Sequence, residues 1–319
     1  MKKKSFVFLF VLIMLFTFSI GSLVSAANDD ELRFVFVPKC VHPWYDMVKE
    51  GANECADFLT NATGQKVVID WVAPKKADVT LHAQTIERAI ATKPDGIAVA
   101  ILDANANKQQ LKESMERGIP TVVYDSVVPE GVEVTSAIGS DFTQDGRDRG
   151  ELIAEMIDYK GKVALLIGCP TAPNHQMRIE GTKEVFAKYP DIEIVAEAVD
   201  NDSIDQAQKV ASQIIAAHPD IDAMLGCNAA GPIGIGIAIK EADKIGDILY
   251  LGESPLPQMV KQVEDGICAG TLVQRVNEVG WWSTMTLWLA CKDKVVPEVI
   301  DTGTFMVYPD DIPGYEDKL

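Results

Sequence analysis

The sequence is poor in several of the residues on which common protein functions depend. Basic residues are in the minority: 29 Lys and Arg stand against 47 Asp and Glu in 319 residues, and the net charge is −18. Nucleic-acid-binding proteins neutralise phosphates with basic side chains, so this balance argues against a nucleic-acid partner. Hydrophobic residues nevertheless make up 47% of the chain and charged residues 24%, a composition typical of a globular protein.

Cysteine is also scarce, and none of the six Cys residues forms a C-x-x-C pair. The number is too small for a scaffold built on disulfides, and without such a pair neither a zinc knuckle nor a redox motif is indicated. We predict that the cysteines act as small buried hydrophobic residues, with a single disulfide as the alternative. The six are Cys40, Cys55, Cys169, Cys227, Cys268 and Cys291.

Motifs of catalysis are missing as well. The chain has four His and contains neither a G-x-S-x-G nucleophile elbow nor a phosphate-binding P-loop. The glycines of residues 231–236 lack the G-x-G-x-x-G spacing of a dinucleotide site. Residues 200–205 resemble a calcium loop only briefly, because Ile204 occupies a required ligand position. We therefore expect a protein that is not an enzyme and has no metal and no cofactor.

The first 27 residues have the pattern of a secretory signal peptide. Three Lys at positions 2–4 precede the uncharged apolar stretch 6–24, and small residues follow. We predict cleavage after Ala26 or Ala27, which places the protein in the periplasm or outside the cell. The alternative is an uncleaved membrane anchor, because this apolar stretch comes close to the length of about 20 residues that spans a bilayer.

The remainder of the chain alternates short β-rich runs with helical segments. The runs are nearly all apolar, as expected for strands of parallel sheets that helices cover on both faces. The pattern predicts an α/β fold with two similar lobes, because it restarts after segment 129–140, which is the first predicted crossing between them. The predicted strands are residues 32–37, 66–72, 96–101, 121–124, 162–167, 192–198, 223–226, 248–251 and 270–274. The predicted helices are residues 44–59, 81–91, 108–117, 146–159, 179–188, 204–217 and 233–242.

Ligands of open α/β sheets bind beyond the carboxyl ends of the strands, and this rule selects candidate binding residues. Trp44 and Tyr45 are adjacent aromatic residues at a predicted helix start, where a ring can stack on the C–H face of a sugar or polyol. Asp125 follows a strand and can accept two hydroxyl hydrogen bonds. Asn228 and Gln274, also at strand ends, each offer a donor and an acceptor.

Arg178, near the start of a helix in the second lobe, can grip two adjacent oxygens with its guanidinium group. These residues also have structural alternatives. Trp44 and Tyr45 can instead pack their helix on the sheet, although we favour a ligand contact for at least one of them, and Asp125 can cap a helix or turn. For Arg178 the alternative is a solvated helix face, since Lys183 and Lys188 lie on the same predicted helix.

Five stretches resemble one protein family in their order and spacing. They are His-Pro-Trp-Tyr at 42–45, Gly-Ile-Pro-Thr-Val-Val-Tyr-Asp at 118–125, Arg-Ile-Glu-Gly at 178–181, Ala-His-Pro-Asp at 217–220 leading to Cys-Asn at 227–228, and Asp-Gly at 265–266 followed by Gly-Thr at 270–271 and Gln at 274. Together they resemble the periplasmic sugar-binding proteins of ABC importers, in particular the ribose-binding-protein-like group. The resemblance covers nearly all of residues 32–305.

The resemblance implies a type I periplasmic binding protein fold, in which two Rossmann-like lobes joined by a three-stranded hinge close around a ligand. We place the three crossings near residues 138–140, 274–276 and 302–304. The expected domains are the signal peptide 1–27, an N-terminal lobe of 28–138 plus 275–303, and a C-terminal lobe of 139–274 plus 304–319. The sugar-contacting positions of the family fall on Trp44, Tyr45, Asp125, Arg178, Asn228 and Gln274; His42, Ser254 and Asp202 complete our predicted binding set.

The chain also departs from the family pattern. His42 replaces an Asn, Ser254 corresponds to an acidic residue, and Ser126 to a basic one, while Ile101, near Leu102, stands where the family has a polar residue. We therefore expect fewer charged groups and a more apolar, aromatic contact surface than in a ribose site. The ligand stays open between another pentose, a polyol, a deoxysugar and a furanose-like signal such as autoinducer-2.

The leading function is an extracytoplasmic solute-binding protein that delivers a small sugar or polyol to an ABC permease in the inner membrane. Such a protein is expected to be a monomer with one ligand. One alternative is a binding protein that signals to a chemotaxis or kinase partner. A LacI-type regulator shares the core, but it needs a DNA-binding headpiece of about 60 residues, and this chain has a signal peptide and an acidic body instead. An exported α/β enzyme needs a nucleophile–base pair or a metal cluster, which the sequence does not offer.

Overall fold

The strands form from short apolar runs, and the helices begin at residues that cap them. The computed structural model describes residues 31–315. Its strands are β1 (Glu31–Val37), β2 (Lys66–Trp71), β3 (Gly96–Ala100), β4 (Thr121–Tyr124), β5 (Ser136–Gly139), β6 (Gly161–Ile167), β7 (Ile192–Val199), β8 (Ala223–Gly226), β9 (Leu249–Leu251), β10 (Thr271–Gln274), β11 (Val299–Asp301) and β12 (Thr304–Val307). Its α-helices are α1 (Pro43–Thr63), α2 (Val79–Ala91), α3 (Ala104–Glu116), α4 (Phe142–Met156), α5 (Pro173–Phe186), α6 (Ile204–Ala217), α7 (Gly231–Glu241), α8 (Pro257–Glu264) and α9 (Val276–Ala290).

Two parallel sheets organise these elements. The first has the strand order β11-β5-β4-β3-β1-β2, and the second has the order β7-β6-β8-β9. Strands β10 and β12 form an antiparallel pair, which a bridge between Gly252 and Thr271 connects to the end of the second sheet. Alternate residues of β1 pack on opposite faces, Phe34 in one apolar cluster and Val35 in another. Both faces of the first sheet are therefore buried, which explains the continuous apolar runs.

Side-chain caps fix where several helices start. The oxygens of Asp78, Asp103, Asp141 and Ser203 accept hydrogen bonds from backbone amides in the first turns of α2, α3, α4 and α6. Helix α1 begins at Pro43, and His42 Nδ1 accepts a hydrogen bond from the Trp44 amide. Because these helices start at the carboxyl ends of strands, their first residues lie at the edge where the two sheets face each other.

The sequence-based assignment of elements is confirmed for the fold class and for most strands, with local differences. Helix α5 begins at Pro173, six residues before the predicted start, because proline is well suited to the first helical position. Segment 129–140 contains β5, a strand of the first sheet. Helices α8 and α9 and strands β11 and β12 were not predicted as elements.

The chain passes between the two sheets three times. It leaves the first sheet after Gly139, returns after Gln274, and crosses again between Asp301 and Thr304. These positions lie where the crossings were expected, and the sheet memberships support the predicted lobe boundaries, which stay a prediction. The predicted signal peptide lies outside the described residues. Within residues 31–315, none of the helices combines the length and apolar character needed to cross a bilayer.

The thiols agree with the leading prediction for the cysteines. All six are free; five are buried, and Cys291 is half-buried. Burial raises the pKa of Cys40 and of Cys169 to about 12, which keeps these thiols protonated. They therefore serve as small apolar residues of the core and of the loops at the strand ends.

Candidate functional site

A small cavity lies between the carboxyl ends of the two sheets, with about 20 Å³ of space for the centre of a water-sized sphere. The first lobe supplies residues from the start of α1 and the end of β4, and the second lobe supplies residues from the ends of β7, β8, β9 and β10 and from the start of α5. This is the position at which α/β proteins bind their ligands. The lining residues are His42, Trp44, Tyr45, Asp125, Asn174, His175, Arg178, Asp202, Asn228, Ala229, Glu253 and Gln274.

The aromatic wall of the cavity comes from the first turn of α1. The rings of Trp44 and Tyr45 meet edge to face with centroids 5.1 Å apart, and both residues are buried. The Tyr45 hydroxyl donates a hydrogen bond to Asp125 Oδ2 at 2.8 Å. Burial and the nearby Asp125 carboxylate raise the pKa of Tyr45 well above its ordinary value, so its hydroxyl stays a donor.

Asp125 is the centre of a polar contact between the two lobes. Lys39 Nζ donates to the main-chain oxygen of Asp125 at 3.0 Å, to its Oδ2 at 2.9 Å and to Asn174 Oδ1 at 2.9 Å. Asn174, in helix α5 of the second lobe, donates in turn to Asp125 Oδ1 at 3.2 Å. Lys39 is 3% exposed, so this is a buried ion pair whose lysine has a partner for each of its three protons. The arrangement holds the lobes together at one end of the cavity.

A second charged cluster lies at the opposite wall. The Glu253 carboxylate is paired with Arg178 and with Arg149, which approaches from behind the cavity in helix α4. The Arg178 guanidinium also lies over the Phe142 ring at 4.9 Å and 3.5 Å from Asp145 Oδ2. Burial raises the pKa of Glu253 to about 7, while the two guanidinium groups pull it down. Arg178 thus lies in the cavity wall, and the alternative of a solvated helix face is wrong.

Close packing of two helices brings Arg178 to this place. A Cβ atom on Gly146 of α4 would lie 2.1 Å from the main-chain oxygen of Arg178 in α5, so only glycine fits at this crossing. A similar approach at Gly181 places its missing Cβ 2.2 Å from the Thr143 oxygen. The predicted family stretch at 178–181 therefore positions both the guanidinium group and the helix that carries it.

The third polar group follows β7 and β8. Asn228 Nδ2 donates to Asp200 Oδ1 at 2.7 Å, and Asn228 Oδ1 accepts from the Gly231 amide at 2.5 Å. Burial and the neighbouring Asp202 carboxylate raise the pKa of Asp200 to about 7. Asp202 lines the cavity, and its Oδ1 has no hydrogen-bond partner among the described residues; His42 Nε2 lies 4.0 Å away. Asp202 is thus a cavity carboxylate with one buried oxygen that has no partner within residues 31–315.

Eight of the nine predicted binding residues line this one cavity, and the ninth does not. Ser254 is buried beside it: its amide donates to Thr271 Oγ1 at 3.1 Å, and its hydroxyl accepts from the Leu256 amide. Its neighbour Glu253 lines the cavity wall instead of Ser254. Carboxylates and a guanidinium group occupy much of the lining, and Glu253 supplies an acidic group that the sequence analysis did not count. The expectation of fewer charged groups than in a ribose site stays a prediction.

The sequence reasoning missed four polar residues at or behind the cavity. All four lie in segments that the strand-end rule selects: Asn174 and His175 in the first turn of α5, Glu253 two residues after β9, and Lys39 two residues after β1. His175 Nδ1 accepts a hydrogen bond from the Cys169 amide at 2.9 Å. Burial, together with the positive charges of Lys39 and Arg178, lowers the pKa of His175 well below its ordinary value, so this imidazole is neutral.

The chain is similar in sequence to known solute-binding proteins. A family model described as a periplasmic binding protein domain matches residues 34–294. A xylose/arabinose-binding protein of Sulfolobus acidocaldarius is 26% identical over 261 residues, which is 77% of this chain and 64% of the relative, so the match spans less than two thirds of that protein. The ribose import binding protein of Escherichia coli is 27% identical over 75% of this chain and 77% of its own length.

Solved structures resemble the chain over most of its length. A solute-binding protein of Burkholderia graminis in complex with D-arabinose has a TM-score of 0.84 at 26% identity, covering 90% of this chain and 99% of that one. A glucose-galactose-binding protein of Geobacillus stearothermophilus has a TM-score of 0.82 at 26% identity, covering 89% and 99%. These similarities cover about nine tenths of the chain.

Proposed function

Because the chain belongs to the periplasmic binding protein family, we propose that it binds one monosaccharide, or a polyol of similar size, in the cavity between its lobes and delivers it to an ABC permease. The observation that carries this proposal is the cavity itself, where Trp44 lies opposite carboxylate, guanidinium and amide groups. An aromatic face suits the C–H groups of a sugar, and charged acceptors and donors suit its hydroxyls.

Size and chemistry narrow the ligand. The cavity is small, with about 20 Å³ of space for the centre of a water-sized sphere, which favours a monosaccharide or a polyol over a disaccharide. Asp202 offers an acceptor oxygen that no described residue uses, whereas Asp125 is already bonded to Lys39, Tyr45 and Asn174. We infer that Asp202 binds ligand hydroxyls directly, and that Asp125 contributes one further acceptor position beside the aromatic wall.

The setting of the protein follows from its relatives. The family is extracytoplasmic, and its members bind solutes and do not catalyse reactions. Relatives are named for xylose, arabinose and ribose, and structural neighbours for arabinose and glucose-galactose, which supports a sugar over a furanose-like signal molecule or a sensory role. Export by the predicted signal peptide, a monomeric state and a permease in the inner membrane complete the proposal.

A thermal-shift screen tests the ligand class. The purified protein is heated with pentoses, hexoses, polyols and, as a size control, maltose, each at a fixed concentration. A ligand present at 100 times its Kd adds about 2.7 kcal/mol of stability, which raises the Tm by several degrees. We expect at least one monosaccharide or polyol to give this shift and maltose to give none. No shift with any member of the panel contradicts the proposal.

Delivery is tested in the source organism. Deletion of the coding sequence should abolish high-affinity uptake of the radiolabelled ligand found in the screen, and a plasmid copy should restore it. Uptake that persists at the same rate and affinity in the deletion strain contradicts the transport role while leaving ligand binding intact.

A further inference from the structure

One buried carboxylate joins the three chain segments that pass between the sheets. Asp145, in the first turns of α4, is 3% exposed. It accepts hydrogen bonds from Ser140 Oγ of the first crossing at 2.7 Å and from Thr304 Oγ1 of the third at 3.1 Å. Gln274, which ends β10 at the second crossing, donates to Ser140 Oγ at 3.2 Å. A side chain of every crossing therefore belongs to one hydrogen-bonded set centred on Asp145.

The same carboxylate reaches the cavity through a charged residue. Arg178 Nη2 lies 3.5 Å from Asp145 Oδ2, and Arg178 is also paired with Glu253. Arg178, Glu253 and Gln274 all line the cavity, whereas Asp145 does not. A ligand that contacts Arg178 therefore acts on a direct partner of Asp145. A ligand that contacts Glu253 or Gln274 acts on Asp145 through one intermediate residue, which is Arg178 for Glu253 and Ser140 for Gln274.

Burial makes this set of contacts sensitive to the arrangement of the crossings. A carboxylate without its hydrogen-bond donors is costly in a site closed to water. Lobe movement of the hinge type changes the backbone angles of a few residues in the connecting segments. Because Ser140 and Thr304 lie in those segments and both bond to Asp145, the present arrangement of the crossings satisfies this carboxylate.

We propose that Asp145 is a positioning residue that couples occupation of the cavity to closure of the lobes, without touching the ligand. The coupling runs from Arg178 and Gln274 in the cavity wall through Asp145 and Ser140 to the crossing segments. This inference rests on the proposed function, since it needs a ligand that closes the lobes. It predicts that removal of Asp145 weakens both ligand affinity and the conformational response to a saturating ligand.

The test compares Asp145→Ala with Asp148→Ala. Asp148 lies three residues further along α4, is exposed, and accepts a hydrogen bond from Gln144 at its surface. The Kd for the sugar found in the screen is measured by isothermal titration calorimetry, and closure is measured by small-angle X-ray scattering with and without saturating sugar. We expect Asp145→Ala to bind about tenfold more weakly, within the usual range of coupling between sites, and to compact incompletely at saturation. Asp148→Ala should match the wild type in both.

A purely structural role for Asp145 predicts a different result. In that case Asp145→Ala lowers the Tm of the ligand-free protein but keeps the wild-type Kd and full compaction at a temperature where it is folded, and the proposal is overturned. Should Asp145→Ala fail to fold, Ser140→Ala and Thr304→Val each remove one link from the carboxylate to a crossing. Each is expected to weaken binding a few-fold and to reduce compaction; unchanged values in both variants overturn the proposal. Failure of the wild type to bind any sugar is a separate outcome, which refutes the proposed function itself.

Discussion

Lys39 offers a stringent test of the contact between the lobes. Its ammonium group is 3% exposed and has three acceptors within 3.0 Å, two on Asp125 and one on Asn174. Lys39→Met keeps most of the apolar stem and removes the charge and all three donors. The Asp125 carboxylate then stays buried with only the Tyr45 hydroxyl and the Asn174 amide as donors. Breaking a buried ion pair by removing one partner costs about 3–5 kcal/mol, and we expect Lys39→Met to lose stability in this range.

The loss is measured by urea unfolding of the ligand-free protein, followed by circular dichroism. Lys162→Met is the matched control, because Lys162 forms a shorter ion pair, of 2.5 Å, with Asp220 at the exposed surface, and this variant should unfold like the wild type. The double variant Lys39→Met/Asp125→Asn should be less destabilised than the sum of its single variants by about 1 kcal/mol or more, since the pair is coupled. If Lys39→Met is no less stable than Lys162→Met, the buried contact does not stabilise the protein and the reasoning is refuted.

Two further predictions concern packing and pH. A Cβ atom on Gly280 of α9 would lie 1.9 Å from the main-chain oxygen of Val48 in α1. Gly280→Ala should therefore lower the free energy of unfolding by roughly 1–3 kcal/mol through overpacking, measured by thermal denaturation. A variant as stable as the wild type would contradict the close packing of these two helices. The pKa of Asp200 is raised from 3.8 to about 7. Relative to Asp200→Asn, the wild type should therefore have its full stability near pH 4 and lose about 4 kcal/mol as the pH rises through 7, measured by unfolding between pH 4 and 8. Parallel pH profiles of the two proteins would contradict the buried position of this carboxylate.

The fold was accessible from the sequence because its local signals agree with one another. Apolar runs such as residues 121–124 lack alternation, and this excluded a sheet with one solvated face. Because helical segments lie between these runs, the strands were expected to pair in parallel sheets. Family membership, the α/β fold and the class of a sugar-binding solute receptor were all predicted and are confirmed by the family match and the solved structures.

The candidate site was accessible in outline for a related reason. The strand-end rule needs only the order of the elements, and it selected Trp44, Asp125 and Asn228, which the structure brings to one cavity. Their contacts with a ligand stay a prediction. Ser254, at the position that corresponds to an acidic residue of the family, does not line the cavity, whereas its neighbour Glu253 does. The turn after β9 bonds Gly252 and Ser254 to residues at and beside strand β10, and this places Glu253 at the cavity.

Tertiary contacts explain what the sequence did not reveal. The burial of Lys39 depends on Asp125 and Asn174, which are 86 and 135 residues away along the chain. Helix α5 has no side-chain cap at Ala172, so Pro173 alone marked its start, and the sequence-based assignment began the helix at Ile179 instead. The link between Asp145 and Thr304 joins residues 159 apart, and only the folded chain brings them together.

The most direct test of a sugar site between the lobes is calorimetric titration of the screened ligand into three proteins: the wild type, Trp44→Leu and Trp282→Leu. Trp44 lines the cavity, and Trp282 is 38% exposed on the outer helix α9, so the two substitutions remove the same ring from different places. The wild type and Trp282→Leu should bind one ligand with the same Kd, while Trp44→Leu should bind about 30-fold more weakly, as for an aromatic residue at the centre of a contact. Equal affinity in Trp44→Leu and the wild type, or an equal loss in Trp282→Leu, would contradict a ligand bound in this cavity.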